Sequence, residues 1–312
     1  MFMEVTSELY TQPCALCPHE CGVVRPYRDG EQGTYGFCRC ALMPKAARAA
    51  LHMWEEPCIS GTGGSGTVFF SGCTLQCAFC QNSEISAEGK GWEVTPAQLR
   101  KIYQDLIDQG AHNVDLVTAT QYLPLILESL QEPLSVPVVY NCGGYEKVET
   151  LKLLESKVQI YLPDLKYYSD EAAIRYSRAP HYFDIATKAI LEMYRQVGPY
   201  EMDDEGILQK GVVIRHLILP GNLEDSHRII DWVADTFEPG QVLFSLMRQY
   251  VPCGRADQYP EINRLLTDEE YQDVEDYLFA STIEDGFVQE AASADAQFIP
   301  VWDGTGIFLS EK

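Results

Sequence analysis

Three cysteines, Cys73, Cys77 and Cys80, follow an apolar run that ends at Ser71-Gly72, with the spacing C-x3-C-x2-C. Thiolate is a soft ligand for zinc and for iron–sulfur clusters. Three thiolates on one short loop can hold three irons of a cubane. The fourth iron is then left without a protein ligand and open to a small molecule, as a catalytic zinc keeps one position free. At the carboxyl end of a parallel strand, such a loop sits where ligands bind in α/β architectures. A zinc site short of one ligand, or a set of inert thiols, is the bland alternative.

A second set lies upstream. Cys14-x2-Cys17-x3-Cys21, followed by Cys38 and Cys40, supplies enough thiolates for a closed four-ligand site, with Cys14, Cys17, Cys21 and Cys38 as the chosen donors. Pro13, Pro18, Gly22, Gly33 and Gly36 give the turns of such a knuckle, and His19 is a competing ligand. Zinc and a second iron–sulfur cluster both suit this spacing. Zinc would contribute folding energy, whereas a cluster would relay electrons or touch substrate. Cys58 lies between the two groups, and Cys142 and Cys253 read as buried, inert thiols. The eleven cysteines are odd in number and nine fall within the first 80 residues of a 312-residue chain. That is metal-binding usage, not a disulfide framework.

Positioning these groups requires a scaffold, and the chain from residue 66 onward supplies one. Near-continuous apolar runs at 67–71, 113–118, 136–141, 158–163, 212–219 and 242–246 predict parallel strands covered on both faces. Helical patterns fall between them. Thr95-Pro96 opens one that closes at Gly110, others occupy 146–156, 181–197 and 225–237, and Thr267-Asp268-Glu269-Glu270 is a capping box for a later helix. Six β/α units predict an α/β fold, a partial (β/α)6 parallel barrel with a cysteine-rich N-terminal metal-binding segment. The expected division is residues 1–60 for that segment, 61–284 for the barrel, and 285–312 for an extension covering one end. Gly61, Gly63, Gly64 and Gly66 precede a strand and do not open a helix, so they are not a phosphate loop.

Composition narrows the partners. Against 46 Asp and Glu stand only 23 Lys and Arg, a net charge of −23, so nucleic acid and anionic membrane are excluded as main partners. With 46% hydrophobic residues the chain can bury a large core. No apolar run approaches the ~20 residues of a membrane helix. Met1-Phe2-Met3-Glu4-Val5 lacks the pattern of a signal peptide, and the cytoplasm is the expected location.

Cys73-x3-Cys77-x-aromatic-Cys80, directly after the first strand of a β/α series, resembles the radical S-adenosylmethionine (SAM) enzymes. Cys77-Ala78-Phe79-Cys80-Gln81-Asn82 is similar to their glycyl-radical activating branch. The stretches beginning Trp54-Glu55-Glu56-Pro57-Cys58, Tyr161-Leu162-Pro163-Asp164, Arg215-His216-Leu217 and Ser245-Leu246-Met247-Arg248 resemble relatives of pyruvate formate-lyase activating enzyme. The resemblance implies a 4Fe-4S cluster on Cys73, Cys77 and Cys80, and SAM chelated at its open iron. It also implies reductive cleavage to methionine and a 5′-deoxyadenosyl radical, then hydrogen abstraction. A protein or peptide substrate is implied, with a small molecule as the alternative, and a reducing partner such as flavodoxin or ferredoxin.

The same resemblance assigns residues. Asp164 and Lys166 form the Asp-x-Lys that helps hold SAM or a nearby cation, the alternative being a plain strand-end ion pair. Phe79, Asn141 and Gly143 are further expected cofactor contacts, although 141–145 also reads as a tight turn. Many members carry Gly-Gly-Glu after the second strand to meet the methionine amino group. Here the stretch is Val117-Thr118-Ala119-Thr120, and Thr118 and Thr120 are expected to stand in as oxygen ligands. Arg215 and His216 alternate on the fifth strand, one facing the barrel interior, and read as satisfied core or packing residues. A different class of protein, a non-catalytic iron–sulfur electron carrier or zinc scaffold, predicts four protein ligands on every metal and no SAM cleavage.

Overall fold

The apolar runs become strands that are buried on both faces. In the computed structural model, which describes residues 12–289 and 300–308, the strands are β1 (Lys45–His52), β2 (Ser65–Phe70), β3 (Trp92–Glu93), β4 (Val114–Val117), β5 (Val138–Cys142), β6 (Ile160–Pro163), β7 (Glu201–Met202), β8 (Leu208–Leu217), β9 (Leu243–Met247) and β10 (Gly286–Val288). Every residue of β2, β4, β5, β6 and β9 is buried. The sheet runs β10-β9-β8-β6-β5-β4-β2-β1-β3, with β7 paired to β8. It is parallel from β2 through to β10, while β1 pairs antiparallel with both β2 and β3. All six expected strands are present, and the α/β partial parallel barrel is the fold. Four strands, β1, β3, β7 and β10, were not anticipated; β3 and β7 have only two residues each. β1 is alanine-rich and poor in β-branched residues, and β10 has only three residues; both form because a paired neighbour overrides local propensity. β1 and β10 lie within 1–60 and 285–312, so both flanking segments contribute to the sheet.

The helices are α1 (Pro57–Ser60), α2 (Ser83–Ser86), α3 (Pro96–Asp108), α4 (Leu123–Ser129), α5 (Val148–Leu151), α6 (Asp170–Ser177), α7 (Tyr182–Val197), α8 (Leu223–Thr236) and α9 (Asp268–Phe279). In α3 the Thr95 hydroxyl accepts from the Gln98 N–H and the Gln98 side chain reaches back, while Leu99, Ile102, Tyr103 and Leu106 form the buried stripe. Thr267 and Glu270 make the same box on α9. The pattern at 146–156 resolves into α5 and a 3₁₀ turn, Lys152–Leu154. No helix among the described residues is long and apolar enough to cross a membrane.

Strand alternation separates two apolar layers. Tyr140, Tyr161, Val212 and Ile214 face the helices in the large outer core. Val139, Ile160, Leu162, Val213 and Leu243 face inward, where Cys58 and Ile59 of α1 fill the concave side. Two residues further along the same inward faces stand Asn141, Asp164 and Arg215, so a polar layer lies directly above the inner apolar one.

Candidate active site

β2 ends at Phe70 and the chain turns at Gly72, whose φ is +76°. A Cβ there would lie 2.1 Å from the Cys40 sulfur, so only glycine fits. The loop that follows carries Cys73, Cys77 and Cys80 as partly exposed free thiols, and all three border one cavity of about 960 Å³. Gln76, between them, holds φ +100°, a left-handed strain of the kind that surrounding structure must impose.

That imposition is visible in the loop's hydrogen bonds. The Gln121 side chain donates to the Ser71 and Gly72 carbonyls at 3.0 and 3.1 Å, and His19 Nε2 lies 2.8 Å from the Thr74 carbonyl. Arg255 donates through its guanidinium to the Gln76 carbonyl (2.8 Å) and through its backbone N–H to that of Ala78 (2.6 Å). The Cys253 thiol donates to the Phe79 carbonyl at 3.1 Å. With the carbonyls bound elsewhere, Leu75 N–H donates to the Cys73 sulfur at 3.3 Å. The N–H groups of Cys73, Gln76, Cys77 and Phe79 find no acceptor among the described residues. Orphan donors and three thiols around one cavity fit an anionic iron–sulfur cluster.

Burial, then the Cys77 sulfur, pushes the thiol pKa of Cys73 and of Cys80 upward, so both need a cation to become thiolates. Among the described residues no three His, Cys, Asp or Glu gather where one metal ion could be held. For the triplet this is compatible with a cubane, in which each cysteine takes a different iron.

The polar layer of the barrel forms the cavity's opposite wall. Lys166 Nζ donates to Asp164 Oδ2 at 2.5 Å. Arg215 bonds Asp164 Oδ1 at 2.8 Å, Glu55 Oε2 at 3.0 Å and Asn141 Oδ1 at 2.8 Å. Burial works against the Lys166 ammonium, but Asp164 and the Cys77 sulfur outweigh it and raise its pKa. Burial likewise opposes the Asp164 carboxylate, yet Arg215 and Lys166 hold its pKa below the ordinary value. Glu56, also on the wall, is pushed up to about 7 by burial.

The expected site residues are only partly brought together. Asn141, Gly143, Asp164, Lys166, Phe79 and Thr118 all line the cavity. Thr118 is a β-branched residue at φ +59°, held by its N–H to Asn141 and by Gln121 on its carbonyl. Thr120 does not reach the cavity. It starts a 3₁₀ turn, and its hydroxyl is buried against Glu146 and Tyr140 at 2.8 and 2.7 Å. His216 is core, as expected, with both ring nitrogens satisfied by Leu165 and Ser226. Arg215, expected as a packing residue, is central to the site. Glu56, Asp115 and Arg255 escaped notice; only the period-two register of Val213-x-Arg215 and Leu162-x-Asp164 carried a signal.

Upstream, Cys17 feels the charges of Cys38 and Cys14, although burial is what drives its pKa to about 12. The Cys21 sulfur accepts the Phe37 N–H, and Cys40 faces the Cys38 and Ser71 carbonyls. His19, expected as a competing ligand, is stacked on Phe37 and committed to the Thr74 carbonyl. The absence of a single-ion group among the described residues covers these thiols too. Cys58 is withdrawn into the inner apolar layer.

The pattern that defines the Radical SAM superfamily matches residues 67–233, from the middle of β2 through the cysteine loop into α8. The chain belongs to the radical SAM superfamily. An uncharacterized protein of Methanocaldococcus jannaschii is 32% identical over 281 residues, covering 86% of this chain and 75% of that one. Among solved structures, Streptococcus suis SuiB bound to its precursor peptide SuiA aligns with a TM-score of 0.48 and 12% identity, over 70% of this radical SAM chain and 46% of SuiB. A mutant spore photoproduct lyase gives 0.48 and 12% over 70% and 74%, and methylornithine synthase 0.45 and 16% over 66% and 59%. The chain thus spans less than half the length of SuiB. Membership of the superfamily implies a 4Fe-4S cluster and SAM.

Proposed function

We propose that the protein is an activating-enzyme-like radical SAM oxidoreductase that abstracts hydrogen from a protein or peptide. The observation that carries this reading is one cavity bordered on one side by Cys73, Cys77 and Cys80 and on the other by Asp164 and Lys166. When bound, the cluster supplies the electron that cleaves SAM into methionine and a 5′-deoxyadenosyl radical. Cys73, Cys77 and Cys80 would hold three irons, and the loop's free N–H groups would offset negative charge on the cluster. Lys166, fixed by Asp164, would receive the SAM carboxylate; Asn141, Gly143 and Thr118 would shape the remaining contact.

A polypeptide substrate is supported by the size of the cavity and by the exposed Met53 and Trp54 on its rim. A small molecule is the alternative. The electron donor is proposed to be a flavodoxin- or ferredoxin-like protein in the cytoplasm. Cys14, Cys17, Cys21 and Cys38 are proposed as an accessory site for zinc or a second cluster. Their spacing supports this, and iron, zinc and sulfide analysis of a variant lacking the triplet tests it.

Anaerobic reconstitution followed by dithionite and SAM tests the main reading. Release of 5′-deoxyadenosine and methionine, abolished in Cys77→Ala, supports it; release that persists in the variant refutes the cluster assignment.

A further inference from the structure

At its floor the cavity is lined by three carboxyls, Glu55, Glu56 and Asp164, against two permanent cations, Arg215 and Lys166. We propose that this floor receives a protonated amine or guanidinium carried by the substrate, with Glu56 as its main partner. The inference rests on the radical SAM reading and adds the chemistry of the group the substrate must present.

Four carboxyls, Glu55, Glu56, Asp115 and Asp164, act on Arg215, whose donors are already committed, while Lys166 is the cation proposed to face the cofactor. Arg215 uses Nε, Nη1 and Nη2 on Asp164, Glu55 and Asn141, and Lys166 is held by Asp164. An anionic group would therefore meet carboxylates with no free guanidinium to answer it. A cationic donor meets the reverse. Asp115 is fully buried; its Oδ2 accepts from Asn141 at 3.3 Å and its Oδ1 has no partner. It lies on the inward face of β4, two residues before Val117 on the cavity wall, and next in charge to Glu55. Glu56 lines the cavity at 6% exposure; Arg215 and the Ser245 side chain act on it, but it forms no ion pair among the described residues. Buried carboxyls that lack an ion-pair partner are costly, and a ligand that supplies N–H donors and positive charge removes that cost. Neither Glu56 nor Asp115 is among the residues proposed to hold the cofactor, so the ligand proposed here is distinct from SAM. A net charge of −23 would also favour the approach of a basic partner.

The test uses the full chain, reconstituted anaerobically and loaded with SAM. Equilibrium dialysis compares N-acetyl-lysinamide, N-acetyl-argininamide and the uncharged N-acetyl-norleucinamide. At least one cationic probe should bind about tenfold tighter than norleucine, the ratio one charge-assisted hydrogen bond commands. Glu56→Gln should erase that preference and Glu56→Asp should keep part of it, while iron content and SAM affinity stay at wild-type values. Equal binding of all probes, no binding, or an unchanged preference in Glu56→Gln overturns the inference. So does a comparable loss of SAM affinity in Glu56→Gln, which would assign the carboxyl to the cofactor's own cationic groups. A protein that releases 5′-deoxyadenosine but shows no cation preference sinks this inference alone; one that releases none sinks the proposed function.

Discussion

Replacing Arg215 with methionine should expose how the interior polar layer is held. The guanidinium is the shared partner of Asp164, Glu55 and Asn141, and its side chain is only 13% exposed. Methionine keeps most of the volume and removes the charge, leaving Glu55 without a cation and Asp164 with Lys166 alone. Removing one member of a buried pair costs about 3–5 kcal/mol, against roughly 0–1 for an exposed one. For a chain of this size that is a fall in Tm of about 5–8 °C. The sign with pH follows from Asp164. Its folded pKa is depressed, so its contribution is present above the unfolded value of 3.8 and is lost as pH falls through the folded one. In Arg215→Met the stranded carboxyls titrate higher instead, so the loss should be largest near pH 8 and shrink toward pH 5 as they protonate. Scanning calorimetry at both pH values measures this, and Glu55→Gln added to Arg215→Met should restore part of the loss. A loss below about 1 kcal/mol, or one equal at pH 5 and pH 8, would refute the reasoning.

Lys166→Ala should weaken SAM binding while leaving iron content intact; equal affinity in the variant returns Lys166 to a structural ion pair. His216 is held neutral, its pKa lowered from 6.5 to about 4 by burial. Its contribution is therefore complete above pH 6.5 and fades as pH falls toward 4, by up to about 3 kcal/mol. In urea titrations His216→Gln should lower stability at pH 7 and flatten its acid dependence over that window; an unchanged slope contradicts this. Arg255→Ala removes the donor to the Gln76 carbonyl, and a chelator should strip iron from the variant about tenfold faster, with Arg255→Lys partly protected.

The cysteine loop and the six parallel strands were legible because each signal is local: close thiol spacing, and apolar runs too long for a half-exposed strand. Lys166 and Asp164 were legible through their i, i+2 spacing at a strand end. Arg215 was read as a packing residue, since one arginine beside a histidine on an apolar strand does not reveal which face is the cavity. Only the joint register of Val139-Asn141, Leu162-Asp164 and Val213-Arg215 shows a polar layer over an apolar one. Thr120 shares the same short run as Thr118, and nothing in it announces the 3₁₀ turn that carries the hydroxyl away. Glu56 enters through α1, whose four residues are too few for periodicity, and Arg255 closes on a loop some 180 residues earlier.

The most direct measurement is the electron paramagnetic resonance of the reduced, reconstituted protein, recorded before and after adding SAM. A cluster gripped by Cys73, Cys77 and Cys80 with one iron open should give a four-iron signal that shifts when SAM binds, and Cys77→Ala should lose it. A spectrum indifferent to SAM, or one that survives in Cys77→Ala, would contradict the account.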